Sequence, residues 1–399
     1  MVAQVRHPIW LPAAPAAGAR TFAVLFTLES FARASVASVI PIQAYELLRS
    51  EQAVSLTYTL VALLGLSATL FMPLAIDRFA RRRVYTVGVL LLGLGSLCLV
   101  TGTLAGQLGG MLARVIGASA LSITLNLYIM DHIRKTQFIQ SESLRMAWST
   151  IAWTCGPTLG VTLYAHFGLW AAHGAVAMFA AVLLCFFWYF RLSDNAAIRP
   201  GKTRPANPLV NIGRFVAQPR LRLAWFIAFG RSCFWTSFFV YAPLLMVVTG
   251  QGSLAGGLIV SAGNALLFTA LFWGRLGARF GARRTMAVAF GGMAIGLTVA
   301  AIAGETSPWV AGAFLLVTAF FGVALDALGS VVFMRAVRTH ERAQMTAVYR
   351  TYLDLSELMP PLVYSIILIF FGLGGVFASL AVLMAVCAVV TWHYLPRRI

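Results

Sequence analysis

The sequence predicts an all-α membrane protein, with twelve transmembrane helices in two pseudo-symmetric six-helix halves. Three observations carry this expectation. Of its 399 residues, 60% are hydrophobic and only 11% are charged, whereas a soluble chain is about a quarter charged. The apolar residues fall in runs of about 20, the length at which a helix crosses a hydrocarbon core. A polar, proline-bearing stretch at 193–218 divides those runs into two sets of six. With so few charges the chain has too little polar surface to cover itself in water. That composition excludes a soluble enzyme, a disordered chain and a secreted disulfide scaffold.

In order, the first half is read as spans at 21–42, 55–76, 84–104, 112–130, 146–165 and 169–190. The second half follows at 223–248, 255–273, 285–304, 309–334, 346–371 and 374–395. The first span is about 22 residues long with no small-residue cleavage site behind it, so it reads as a retained helix. The expected domain plan is an N-terminal segment at 1–20, one half at 21–191, a linker at 192–222, the other half at 223–395 and a tail at 396–399.

The net charge of +18 is distributed as short basic clusters between apolar runs, not as one face of a soluble domain. This excludes a nucleic-acid partner. Every second loop is basic: Arg78 with Arg81–Arg83, then Arg134, Lys135 and Arg145, then the central linker, then Arg275, Arg279, Arg283 and Arg284, and finally Arg335, Arg338 and Arg342. The opposite loops hold only Arg49. By the positive-inside rule both termini are expected in the cytoplasm. Short loops point to a bacterial inner membrane. The cysteines all lie inside apolar runs without metal-ligand spacing, and the scattered histidines give no metal signal. No Walker, HExxH or dinucleotide fingerprint appears; neither catalysis nor a cofactor is expected, and uphill work would draw on an ion gradient.

The halves echo each other in sequence. The second span of the first half ends in Asp77-Arg78-Phe79-Ala80-Arg81-Arg82, and that of the second half in Ala278-Arg279-Phe280-Gly281-Ala282-Arg283. With Gly274 and Leu276, and with Arg114-Val115-Ile116-Gly117 opening the fourth span, the chain resembles the major facilitator superfamily. The first half has Pro73, Ala75 and Ala80 where that family prefers Gly, Leu and Gly. The second half has Ala278 in place of the acid. Gly156-Pro157-Thr158-Leu159-Gly160 in the fifth span is similar to part of the motif associated with antiporters. The resemblance implies a monomeric transporter whose halves rock about a midplane site. It also implies that Asp77 latches the halves on the cytoplasmic side, and that spans one, four, seven and ten line the cavity with eleven beside them.

A charge at mid-bilayer is costly unless it faces a partner or water. The interior charges are Glu29 and Arg33 in span one, Arg114 in span four, Arg231 in span seven and Asp326 in span ten. Arg350, Asp354 and Glu357 follow in span eleven. Spans three, six, nine and twelve have none, which agrees with the cavity assignment. Arg350, Asp354 and Glu357 lie at i, i+4 and i+7 on one stripe, with Glu357 about 10 Å deeper than Arg350. Pro360 and Pro361 are expected to kink or loosen the helix behind them.

A carboxyl out of water and away from Arg350 suits taking up and releasing a proton. Glu357 is therefore the nominated proton carrier, followed by Asp354 and Glu29; the alternative is an ion-pair ladder that never titrates. Arg33, Arg114, Arg231, Asp326 and Arg350 are candidate solute contacts, although Arg231 and Asp326 can instead pair with each other. Asn126, Tyr128, Trp153, Trp235, Tyr241 and Asn264 are softer candidates for a mixed pocket. The expected function is proton-coupled secondary transport of a small organic solute. Export by antiport is the leading expectation, motivated by the Gly156-Pro157 element, and uptake of an organic anion, motivated by Arg33, Arg114 and Arg231, is its rival. A non-transporting receptor on the same fold is the reading from another class.

Overall fold

A computed structural model describes residues 18–133, 138–190, 208–337 and 342–396. The described segments are helical, without strands. The first span is two helices, α1 (Ala19–Ala34) and α2 (Val39–Leu48), separated by a turn. The next five are α3 (Glu51–Phe79), α4 (Arg81–Leu99), α5 (Leu104–His132), α6 (Phe138–Phe167) and α7 (Leu169–Tyr189). Part of the expected linker is itself a helix, α8 (Pro208–Ala217); residues 191–207 lie outside the described residues.

The second set begins with α9 (Pro219–Val248), then α10 (Ser253–Ala265), a 3₁₀ turn (Leu266–Thr269) and α11 (Ala270–Phe280) as one interrupted span. It continues with α12 (Ala282–Ala303), α13 (Pro308–Ala336), α14 (Arg342–Tyr349), α15 (Thr351–Phe370) and α16 (Leu373–Tyr394). Eleven spans among the described residues meet the length and apolarity needed to cross a bilayer. The twelfth, α6, has the length at 30 residues, but carries Glu142, Arg145 and Pro157. It packs between α1 and α10, inside the protein, where a less apolar helix is tolerated.

Two large hydrophobic cores hold this arrangement, with a small third cluster of Met72, Ile76, Val84 and Ala120. One is built from residues between Phe22 and Phe187, with Tyr85, Tyr128 and Phe187 among its largest buried side chains. The other is built from residues between Phe215 and Leu395, around Phe234, Phe238, Tyr241, Phe290 and Phe377. The outward faces of α4, α12 and α16 present Val87, Leu94, Val288, Ile295, Val382 and Val389, as helices in lipid should.

Interrupted helices account for the differences from the expected boundaries. Span eleven breaks at Arg350, between α14 and α15, whereas α15 runs unbroken through Pro360 and Pro361. Both prolines are buried, and the helix continues past them despite their missing donors. Span one breaks at 35–38, and there α6 comes close. A Cβ on Gly160 would stand 1.4 Å from the Ser35 carbonyl oxygen, and one on Gly156 would stand 2.6 Å from the Ala34 Cβ. The glycines of the Gly156–Gly160 element thus let α6 sit directly against the backbone of the α1–α2 turn.

The two sets of helices meet chiefly where α3 packs on α15, α6 on α10 and α2 on α9. Successive spans alternate in direction, which puts the basic junctions at one end of the bundle and Arg49 at the other. Among the described residues, the hydrogen bonds joining the sets lie toward the Arg49 end. Ser55 and Tyr241 share a short hydroxyl contact, and the Thr158 hydroxyl donates to Ser261 Oγ at 2.7 Å. Tyr45 and Tyr58 of the first set pack on the second core, and Val247 of the second set packs on the first.

Candidate functional site

Between the two sets, at mid-depth, the interior charges gather on facing walls. In the first set Glu29 is fully buried, and Arg33 Nη1 reaches its Oε1 at 3.4 Å. Glu29 Oε2 is buried with no hydrogen-bond partner. Arg33 keeps 37% of its side chain exposed, so the same helix turn presents a guanidinium outward and hides a carboxyl behind it. Arg114 lies on α5, ten residues in from Leu104, about 15 Å from that end. It is buried, donates to Ser96 Oγ at 2.7 Å, and has Arg33 rather than an acid as its charged neighbour.

Arg145 belongs to this wall and corrects the sequence expectation, which left it in a loop. Because α6 begins at Phe138, Arg145 falls inside a helix and is buried. It pairs with Glu142 at 2.7 Å, donates to Asn126 Oδ1 at 2.9 Å and lies 4.5 Å from the Phe26 ring centroid. Glu29 is within its electrostatic reach. The Glu142/Arg145 spacing of i,i+3 was the available signal, since it marks a helical pair. Tyr85, whose buried hydroxyl lacks a partner and lies near Glu29, has no sequence signature at all.

On the facing wall, Arg231 Nη1 donates to Asp326 Oδ1 at 2.6 Å, and Trp235 Nε1 donates to Oδ2 at 2.9 Å. Tyr352 accepts from Arg231 Nη2 at 3.2 Å. Both carboxylate oxygens of Asp326 are therefore occupied from within the second set. Trp153 of α6 lies against Phe239 of α9, with centroids 5.2 Å apart, and bridges the two walls. Tyr241 is committed to Ser55, and the Asn264 amide donates to its own helix at Val260 O, 2.9 Å away. Neither is left facing the space.

Glu357 is exposed although it lies at mid-span in α15, a helix packed against α3 of the first set and α9 of the second. Its charged neighbours are Arg33, from the opposite set, and Asp354. Asp354 in turn has Arg350 as its cation, at the start of α15. The i, i+4, i+7 stripe is thus distributed unevenly. Arg350 serves Asp354, and Glu357 looks to Arg33 of the opposite set. Sequence spacing gives the first relation, and only the packing of α15 against the first set gives the second.

The basic junctions repeat in three dimensions. Ala80 (φ 62°, ψ 144°) and Gly281 (φ 88°, ψ 144°) adopt closely similar conformations between their helices. Arg78 lies over Phe79 and Arg279 over Phe280; Arg82 stacks 3.8 Å from Trp188 and Arg283 5.1 Å from Trp392. Arg81 is in the first turn of α4, and Gly274 is within α11 with open space beside it. The expected Asp77 latch lies outside the described side chains, as do the cations at 134, 135 and 338.

Comparison with known proteins places this geometry in a family. The family model described as the major facilitator superfamily matches residues 22–270 and 254–399. No curated protein matches by sequence. Among solved structures, a peptide transporter POT in complex with sulfate is similar at 15% identity, with 96% of each chain covered and a TM-score of 0.73. A POT family transporter in complex with 5-aminolevulinic acid is similar at 11% identity, covering 94% of this chain and 95% of that one, with a TM-score of 0.72. A variant of the nucleoside transporter NupG is similar at 12% identity, covering 94% and 98%, with a TM-score of 0.66. These likenesses show a shared transporter fold. The chain is a multi-pass membrane protein with a secondary-transporter fold, and it belongs to the major facilitator superfamily.

Proposed function

We propose that this protein couples protons to the movement of a small organic anion, with Glu357 and Glu29 as proton carriers and Arg33 as the solute's first anchor. The observation that carries the reading is that Glu357 of the second set lies within electrostatic reach of Arg33 of the first, a guanidinium that stays 37% exposed beside Glu29. While Glu357 is ionised the two walls attract. An anion on Arg33 removes that attraction and makes protonation of Glu357 easier, so proton and solute bind together by linkage. Arg114 adds positive charge without a described acid of its own, whereas Arg231 is held by Asp326. The sulfate and 5-aminolevulinic acid held by fold relatives both carry anionic groups. The six-helix sets at 21–191 and 223–395 are the rocking units, with the basic junctions and both termini in the cytoplasm of a bacterial cell and the protein acting as a monomer.

Export of a cationic solute in exchange for protons is the second reading. Its supporting observations are the exposed Glu357 carboxylate, where a cation would displace the proton, and the Trp153–Phe239 aromatic contact between the two sets. Gly156 and Gly160 no longer favour export by themselves, since close packing on the α1–α2 turn accounts for them.

The test is thermal unfolding of the purified protein in mild detergent against organic anions and lipophilic cations. A ligand at 100 times its Kd stabilises by about 2.7 kcal/mol. Anions alone should stabilise; stabilisation by cations alone would replace this reading with the exchanger. In vesicles, Glu357→Gln should abolish accumulation driven by a proton gradient while solute counterflow persists. Accumulation at the unaltered level would remove Glu357 from the coupling role.

A further inference from the structure

At the end of the bundle that bears the basic junctions, two adjoining grooves open where α9, α13 and α16 come together. One is lined by Arg220, Leu223, Val332 and Arg335, the other by Arg220, Arg222, Phe226 and Val390, so that Arg220 forms part of both. The second groove encloses about 370 Å³. Its floor is apolar, from Leu223, Phe226 and Val390, and its rim is cationic. Arg220, Arg222 and Arg335 are all exposed, and none has an acidic partner among the described residues.

We propose that this double groove binds an anionic phospholipid of the adjacent leaflet, with its phosphate between Arg220 and Arg335 and an acyl chain along Leu223, Phe226 and Val390. The position fits a membrane ligand. Arg220 and Arg222 stand in the first turn of α9 and Arg335 in the last turn of α13, where membrane-spanning helices leave the hydrocarbon. Tyr394, which lines the groove, and neighbouring Trp392 are exposed aromatics of the kind that mark the headgroup level. Three unpaired guanidinium groups at this level select negative headgroups, because each cation near an anionic surface contributes to attraction. The site is built from second-half residues, Arg220, Arg222 and Arg335, and none of these is among the charges that gather between the two sets.

The test is native mass spectrometry of the full chain in neutral detergent, titrated with phosphatidylglycerol, phosphatidylcholine or inorganic phosphate. Phosphatidylglycerol should be retained. The double variant Arg220→Gln/Arg335→Gln should weaken it about tenfold or more, on the order expected for two such cations. Arg220→Lys/Arg335→Lys keeps the charge and should retain most of the affinity, while Arg49→Gln, at the opposite end, should retain all of it. Equal retention of phosphatidylcholine would overturn the proposal, as would phosphate binding that displaces the lipid. An unweakened Gln variant would do the same. Should the Gln variant fail to fold, phosphatidylglycerol should still raise the melting temperature of the unaltered chain and phosphatidylcholine should not; an equal rise with both lipids overturns the proposal.

Discussion

The two halves repeat one another in outline and differ in how they treat a buried carboxyl. In the second half Asp326 has both oxygens engaged, by Arg231 at 2.6 Å and Trp235 at 2.9 Å. In the first half Glu29 has one long contact at 3.4 Å and one oxygen with no partner. A saturated pair in a protected setting resists change, because removing either member strands a charge. An unsaturated carboxyl can exchange a proton without dismantling a network. The comparison teaches that pseudo-symmetry supplies two sites for charge, of which only one is tied down. The junctions show a similar contrast. Gly281 meets its left-handed backbone at no steric cost, while Ala80 adopts φ 62° with a Cβ in place.

Substitutions can break the comparison, and the largest effect is expected at the saturated pair. Arg231→Ala should destabilise by about 3–5 kcal/mol, the cost of leaving a buried partner uncompensated. Arg33→Ala should cost about 1 kcal/mol or less, since its side chain is 37% exposed and screened. Urea or thermal unfolding in detergent checks both, and equal losses would collapse the distinction between the halves.

The junctions should respond in opposite directions. Ala80→Gly should stabilise and Gly281→Ala should destabilise, each by about 1–3 kcal/mol, the cost of a side chain at such φ/ψ values. Nothing lies within 4 Å of a Cβ built on Gly281, so melting temperatures would report backbone strain without a packing contribution.

A smaller effect is expected at the contact that joins the halves at the Arg49 end. Tyr241→Phe removes the hydroxyl shared with Ser55 and should cost about 1 kcal/mol. It should also speed labelling of a cysteine placed at position 59, one turn along α3 from Ser55, and an unchanged rate would show that this contact does not hold the end closed. Glu29→Gln should change melting least of all, while flattening the dependence of uptake on the proton gradient. A full gradient response would return Glu29 to a structural role.

Much of the molecule was legible in the sequence, for a physical reason. Bilayer thickness sets the length of apolar runs, so the spans are written locally. Their charges are rare enough that Glu29, Arg33, Arg114, Arg231, Asp326 and Glu357 stand out by chemistry alone. Helical spacing also gave the Glu29/Arg33 and Arg350/Asp354 relations, because residues four apart share a face. Arg145 was misplaced because polarity at the start of α6 resembled a loop, and only packing against Phe26 and Asn126 identifies it as interior.

Relations between distant segments depend on how helices meet, and these the tertiary structure alone decided. That Glu357 faces Arg33, that Asp326 is closed by Trp235, and that Gly160 makes room for a broken helix all depend on interhelical distances. No local rule encodes those distances, since each is fixed by the joint packing of two or three helices. Composition and periodicity determined that this chain crosses a membrane as two sets of helices; tertiary packing decided which of its buried charges were left free to act.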